Sequence, residues 1–146
     1  FGVSHYSAQK FSMLQSYVDQ PLATNQIEIS PLHLAPFEDG SLDYLLEKRV
    51  QPMAWSPLGG GRLFDKADLQ SRRVAQALLA AGERQGETRL DTLAYAWLLA
   101  HPAKITPIVG SGRLARIRDA ADALAVRFTE EEWIAVYAAA QGHDVP

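Results

Sequence analysis

A Gly-Ser-Gly turn followed by two arginines is the part of this sequence best suited to hold an anion. Gly110, Ser111 and Gly112 stand between an apolar run and a helical pattern. Glycines let a ligand come close to the backbone, and the N–H groups and dipole of a helix start favour negative charge. Arg113 and Arg116 fall in the first turn and a half of that helix, where cations oppose the dipole. A bound phosphate would account for them; plain solvation at the surface is the alternative. Trp55 adjoins the run Ser56-Pro57-Leu58-Gly59-Gly60-Gly61. Its indole could serve a planar ring as a stacking platform or could simply be core. Gln26 offers a donor and an acceptor, for an amide ligand or for a neighbouring loop. His5 is the one histidine at a strand end; His33, His101 and His143 are scattered, without metal-ligand spacing. Glu130-Glu131-Glu132 reads as the acidic first turn of a helix. Nothing matches a G-x-S-x-G elbow or a Walker loop.

These residues sit at the ends of alternating elements. Phe1–His5 reads as a buried strand, followed by a helix capped by Ser7 that carries Phe11 and Leu14. Residues 23–29 read as a second strand. Residues 30–40 contain Pro31, Pro36 and Gly40 and read as loop, after which Ser41 opens a helix with Leu42, Leu45 and Leu46 on one face. A third strand spans 50–55, weakened by Pro52 unless that residue lies at its start. The glycine run reads as loop. Val74, Ala77, Leu78 and Ala81 then mark an amphipathic helix ending near Gly86. Thr88 is expected to cap the next helix, whose stripe is Leu90, Leu93, Ala94, Trp97 and Leu98, and Pro102 stops it. A fourth strand at 105–109 leads through the Gly-Ser-Gly turn into a helix bearing Leu114, Ile117, Ala121 and Leu124. Thr129 and Glu132 form a capping box before a last helix with Trp133, Tyr137 and Ala140, and Gly142 is its expected stop. Strand-helix alternation implies a parallel sheet with helices packed on it. In such folds the chemistry lies at the C-terminal strand ends, where His5, Gln26, Trp55 with its glycine run and the Gly-Ser-Gly turn are found.

Composition narrows the classes. The chain has 146 residues, 47% hydrophobic and 21% charged, as in an ordinary globular domain. A net charge of −3 argues against a dedicated nucleic-acid binder. The sequence contains no cysteine, which excludes disulfide, zinc-thiolate and thiol-nucleophile chemistry within it. No apolar run is long enough to span a bilayer, and Phe1-Gly2-Val3 is not a signal-peptide start.

Taken together the strand-end segments are far more specific than any one alone. Gly2-Val3-Ser4, Asn25-Gln26-Ile27-Glu28, Ala54-Trp55-Ser56-Pro57-Leu58-Gly59-Gly60-Gly61 and Pro107-Ile108-Val109-Gly110-Ser111 occur in that order, with Ala94-Tyr95-Ala96-Trp97-Leu98 between the last two. This resembles the C-terminal half of an aldo-keto reductase, closest to a bacterial oxidoreductase branch with a W-S-P-L-G-G-G-R-L-F loop. The resemblance covers essentially the whole chain, residues 1–146. It implies strands five to eight, with their helices, of a (β/α)₈ barrel, a fold of about 250 residues. The opening at Phe1 is then expected because the first half of the barrel is absent. The family's Asp, Tyr, Lys and His tetrad comes from the first four strands, and no position here corresponds to it.

The resemblance implies a nicotinamide-cofactor cradle. Ser4 and His5 match a Ser-Asn pair on the carboxamide, with His in place of the usual Asn. Gln26 matches a second carboxamide ligand, and Trp55 an aromatic residue, usually Tyr, stacked on the nicotinamide. Ser56, Pro57, Leu58, Gly59 and Gly60 match the pyrophosphate loop. Ser111 and Arg116 match residues on the adenosine 2′-phosphate, with Gly110 where many members have Lys. Gly112 belongs to the same turn. Asp119 matches a residue near the adenine, and Ala120 stands where many have Asn. Arg116 makes NADP(H) the expected cofactor and NAD the weaker choice. The whole enzyme is expected to be a cytoplasmic reductase of aldehydes or ketones. Without the tetrad this chain is expected not to turn over alone. Two other readings stand beside it. One is a non-catalytic half-barrel that binds a nucleotide or self-associates through its exposed edges. The other is a truncated gene product.

Overall fold

The computed structural model describes residues 1–143. Four strands, β1 (Val3–Ser4), β2 (Asn25–Glu28), β3 (Met53–Trp55) and β4 (Thr106–Pro107), form one parallel sheet in the order β1-β2-β3-β4. Helix α1 (Ala8–Gln15) connects β1 to β2, and α2 (Ala35–Glu38) with α3 (Ser41–Glu47) connects β2 to β3. Helices α4 (Leu69–Glu83) and α5 (Leu90–Leu99) lie between β3 and β4, and α6 (Leu114–Asp122) and α7 (Glu130–Gln141) follow. This is the four-strand half of a (β/α)₈ arrangement, in which every strand pairs with its sequence neighbour.

Alternation assigns the two sheet faces. Asn25, Ile27 and Ala54 point into the helical layer, where Ile27 and Ala54 join Leu42, Leu45, Val74, Leu78, Leu93, Trp97 and Ile105 in one core. Register partners Ser4, Gln26, Met53 and Thr106 cross the opposite face as a row, and Glu28 and Trp55 make the next row toward the C-terminal ends. That face is polar: Gln51 Nε2 donates to Thr106 Oγ1 at 2.6 Å, and Thr24 Oγ1 donates to the Gln51 carbonyl at 2.7 Å.

The strands are shorter than the apolar runs suggest, yet their ladder bonds reach further. Pro52 immediately precedes β3, and its carbonyl accepts from Thr106 N at 2.9 Å. Pro107 sits on the edge strand between two donating residues, Thr106 and Ile108, so the ladder loses no bond to it.

Several local signals hold. Ser7 caps α1 by accepting from Lys10 N. Thr129 and Glu132 close both arms of the capping box, and Gly142 ends α7 at φ +82°. Others are corrected. Thr88 does not cap α5: Arg89 stands at the N-cap without a side-chain cap bond, and the Glu87 carboxylate accepts from Thr88 N at 2.9 Å and Arg89 N at 2.8 Å just ahead of the helix. Residues 30–40 are not wholly loop, because Pro36 lies in the first turn of α2, where its missing N–H is no loss. The glycine run continues into tight 3₁₀ turns over Gly59–Phe64, with Gly60 at φ +64° and Gly61 at φ +91°. Leu124 lies beyond α6, in a 3₁₀ turn over Ala123–Ala125. The α5 stripe is in fact buried all round, from Thr92 to Leu98. Gly82 of α4 lets α5 approach, since a Cβ there would collide with the Glu87 carbonyl and Leu93. Among the described residues no helix is long and apolar enough to cross a membrane.

Helix α7 is locked to α5 by a reciprocal pair. The Trp97 and Trp133 rings stack at 4.7 Å with 9° between planes, and each Nε1 donates to the other's carbonyl at 3.0 Å. Replacing Trp133 with Phe keeps a ring but removes one donor, and should lower the unfolding free energy by about 1–2 kcal/mol. Trp133→Ala should lose about 3 kcal/mol or more. Urea denaturation measures both; equal losses would show that the ring contact contributes nothing.

Candidate functional site

The C-terminal strand ends converge on one side of the sheet. Two of them turn through left-handed backbone on residues other than glycine: His5, after β1, at φ +58°, and Ser56, after β3, at φ +49°. Such conformations are strained for L-residues and persist only where surroundings impose them. After Ser56 the chain tightens, with Gly59 N donating to the Ser56 carbonyl at 2.8 Å and Gly61 N to the Leu58 carbonyl at 3.1 Å.

A groove of about 580 Å³ opens between this turn and the end of β4. Of the expected ligands, Ser56, Pro57, Leu58, Gly60, Gly110, Ser111 and Arg116 line it. Leu58, Phe64 and Ile108 give it apolar wall, Ser111 a hydroxyl and Arg116 a cation. Trp55 precedes it directly in the chain and lines a second cleft with His5, Glu28 and His33. Trp55 belongs to neither apolar core cluster. It stands half-exposed on the open face, its ring 5.1 Å from that of His5. Its Nε1 is nevertheless buried without a hydrogen-bond partner. Ser4 and Gln26 adjoin in register on the same face.

Three expected ligands lie elsewhere. Gly59 packs against Leu32, and Gly112 is open to solvent beside the groove. Asp119 is engaged by Arg89. Conversely, Asp91 and Tyr95 line the groove although neither belongs to the apolar stripe expected for this helix or to the expected ligands. Burial, then the Asp91 charge, pushes the Tyr95 hydroxyl up, and Arg116 opposes the shift.

Helix α6, which carries Arg116, has no buried residue. Polar struts hold it. Arg89 Nη1 donates to Asp119 Oδ1 at 2.7 Å and to Asp122 Oδ2 at 2.8 Å, while Nη2 donates to Glu87 Oε2 at 2.7 Å. Thr92 Oγ1, fully buried, donates to the Asp119 carbonyl at 3.0 Å. Hydrogen bonds from Arg89 hold the Glu87 carboxyl down at about 2, and the three carboxylates raise the Arg89 guanidinium above its ordinary value. Among the described residues no cluster of three or more His, Asp or Glu is arranged to hold a metal.

Residues 1–141 match the family described as Aldo/keto reductase family. The chain belongs to the aldo/keto reductase family. It is 44% identical to an uncharacterized oxidoreductase, YcsN, of Bacillus subtilis, over all of this chain and 49% of that protein. It is 46% identical to a 6-dehydroglucose reductase of Novosphingobium aromaticivorans, over 99% of this chain and 47% of that protein. In fold it matches the crystal structure of the thermostable aldo-keto reductase Tm1743 in complex with the inhibitor epalrestat, at a TM-score of 0.81 and 23% identity, over 94% of this chain and 47% of that one. The chain thus spans about half the length of the curated relatives it matches.

The Glu87–Arg89 contact sets an acid limit on the α5–α6 junction. The carboxylate is held below its ordinary 4.5 in the folded chain, so its contribution is complete above that value and fades as pH falls toward about 2. Wild-type stability, followed by circular dichroism, should drop across this window. Glu87→Gln should be less stable at neutral pH and show a shallower drop; an unchanged profile would contradict the strut.

Proposed function

We propose that this chain is the cofactor-holding half of an NADP(H)-dependent aldo/keto reductase. The observation that carries the reading is the groove that brings Arg116 and Ser111, at the start of α6, opposite the turn after Trp55. Its residues fit a dinucleotide. The cation and hydroxyl suit a phosphate, the glycine-rich turn suits close backbone approach, and Leu58 and Ile108 suit a flat apolar ring. Trp55 adds an indole on the open face next to Gln26's row.

When bound, the nicotinamide supplies a hydride to an aldehyde or ketone carbon. The work of this chain is to position it. Trp55 offers the ring a face. Ser4, His5 and Gln26 hold its carboxamide, Ser56, Pro57, Leu58 and Gly60 the pyrophosphate, and Arg116 with Ser111 the 2′-phosphate. Gly110 in place of the frequent Lys leaves Arg116 as the principal discriminator of NADP(H) over NAD(H). Asp119, bonded to Arg89, supports α6 rather than reading the adenine. A polyhydroxylated aldehyde is the first substrate to test in a full-length enzyme, because one relative bears the name 6-dehydroglucose reductase. A cytoplasmic setting accords with the reading.

The edges support a second reading. β1 and β4 each pair on one side only, and a second copy adding its own edges would supply the missing ladder partners. Sedimentation reports that state directly.

Titrating the 146-residue chain with NADPH should quench tryptophan emission saturably. Arg116→Ala should weaken NADPH binding by about tenfold or more, while NADH binding stays nearly unchanged. No saturable quenching, or an equal loss for both nucleotides, would contradict the reading. With aldehydes present the chain alone should not oxidise NADPH, since the resemblance places the proton-donating Tyr outside it. Clear turnover would overturn that assignment.

A further inference from the structure

Helix α5 brings a carboxylate into the groove that presents Arg116. Asp91 and Tyr95 stand one turn apart on α5 and share a face of it, and α5 packs against both β4 and α6. The two side chains line the groove with Ser111 and Arg116. The Tyr95 ring is buried, and its hydroxyl has no hydrogen-bond partner among the described residues. Burial and then Asp91 push that hydroxyl up while Arg116 pulls it down, so two opposite charges act on one point of the groove. They do not cancel by direct contact: among the described residues neither Asp91 nor Arg116 has an ion-pair partner. Asp91 Oδ1 accepts only from Thr92 N of its own helix, at 3.0 Å. An acid in the first turn suits the helix dipole, yet the dipole is served equally by a carboxylate turned to solvent. It does not account for one that shares a groove with Arg116.

We infer that Asp91 sets the cofactor preference against Arg116: its carboxylate accepts the ribose 2′-hydroxyl of NAD(H) and repels the 2′-phosphate of NADP(H). This role rests on the cofactor reading above and deepens it. A phosphate monoester at Arg116 brings a charge of about −1.5 to −2 into a groove that already holds one carboxylate. A hydroxyl in the same place carries a hydrogen that a carboxylate accepts. Gly110 supplies no cation, so the charges lining this groove are matched one to one, Arg116 against Asp91. Arg116 alone would favour the phosphate strongly; Asp91 narrows that advantage.

Tryptophan-quenching titrations of the 146-residue chain with NADPH and NADH give the ratio of the NADH to the NADPH dissociation constant. Asp91→Asn keeps the size, removes the charge and should raise this ratio about tenfold, through tighter NADPH and weaker NADH binding. Asp91→Ser, also uncharged, should raise it too, and serves if the Asn variant does not fold. Asp91→Glu keeps the charge and should stay within about twofold of wild type. An unchanged or lower ratio in the uncharged variants, or an equal rise in Asp91→Glu, would overturn the inference. The placement of the charges is read without nucleotide, by carbon NMR of ring-labelled tyrosine. Asp91→Asn should lower the titration midpoint of Tyr95, and Arg116→Ala should raise it. No movement in either variant would show that these charges do not face the Tyr95 hydroxyl, which overturns the inference and leaves the cofactor reading standing. If wild type binds neither nucleotide, the cofactor reading fails and the role of Asp91 with it.

Discussion

A parallel ladder with only two to four residues per strand leaves little freedom in which side chains meet. Ile27 and Ala54 must lie under the helices, because that is where the apolar area is removed from water. Their neighbours Gln26 and Trp55 must then face the other way. A one-residue slip of β2 would drive Gln26 and Glu28 into the helical layer and expose Ile27. Burial on one face thus fixes the residues presented on the other, and β1, β2 and β3 deliver their last residues, Ser4, Glu28 and Trp55, to the same side.

Two kinds of anchoring divide the work around that side. Helices α4, α5 and α7 are held by buried apolar surface, with Val74, Leu78, Leu93, Trp97 and Val136 fully enclosed. Helix α6 is held by Arg89 and Thr92 instead. Its exposed face leaves Arg116 at the groove rim with its charge in solvent, available to a phosphate. The cost of this arrangement is dependence on the ionisation of Glu87, which buried leucines would not impose.

The sequence was readable where the deciding interaction is local. Ser7, the Thr129–Glu132 pair and Gly142 act within a few residues of themselves, and each behaves as its type and spacing imply. The strand ends were readable because apolar runs stop abruptly at Ser4, Glu28, Trp55 and Gly110. Long-range contacts were not. Thr88 has a capping residue's chemistry, but Arg89 takes the N-cap position, with Glu87 bonded to the N–H groups of Thr88 and Arg89 ahead of the helix. Asp119 matches an adenine ligand by position, and its bond from Arg89, 30 residues earlier, is a contact the sequence does not show. Asp91 and Tyr95 fall outside the apolar stripe of α5, and only the packing of that helix beside β4 brings them to the groove. Pro36 reads as a breaker although it starts a helical turn.

The central claim is that a dinucleotide lies between the turn after Trp55 and the start of α6. Amide hydrogen exchange of the chain with and without saturating NADPH tests it most directly. Added protection should concentrate in residues 56–61 and 110–117, with α7 and α3 unchanged. Protection confined to other segments, or none despite saturation, would contradict it.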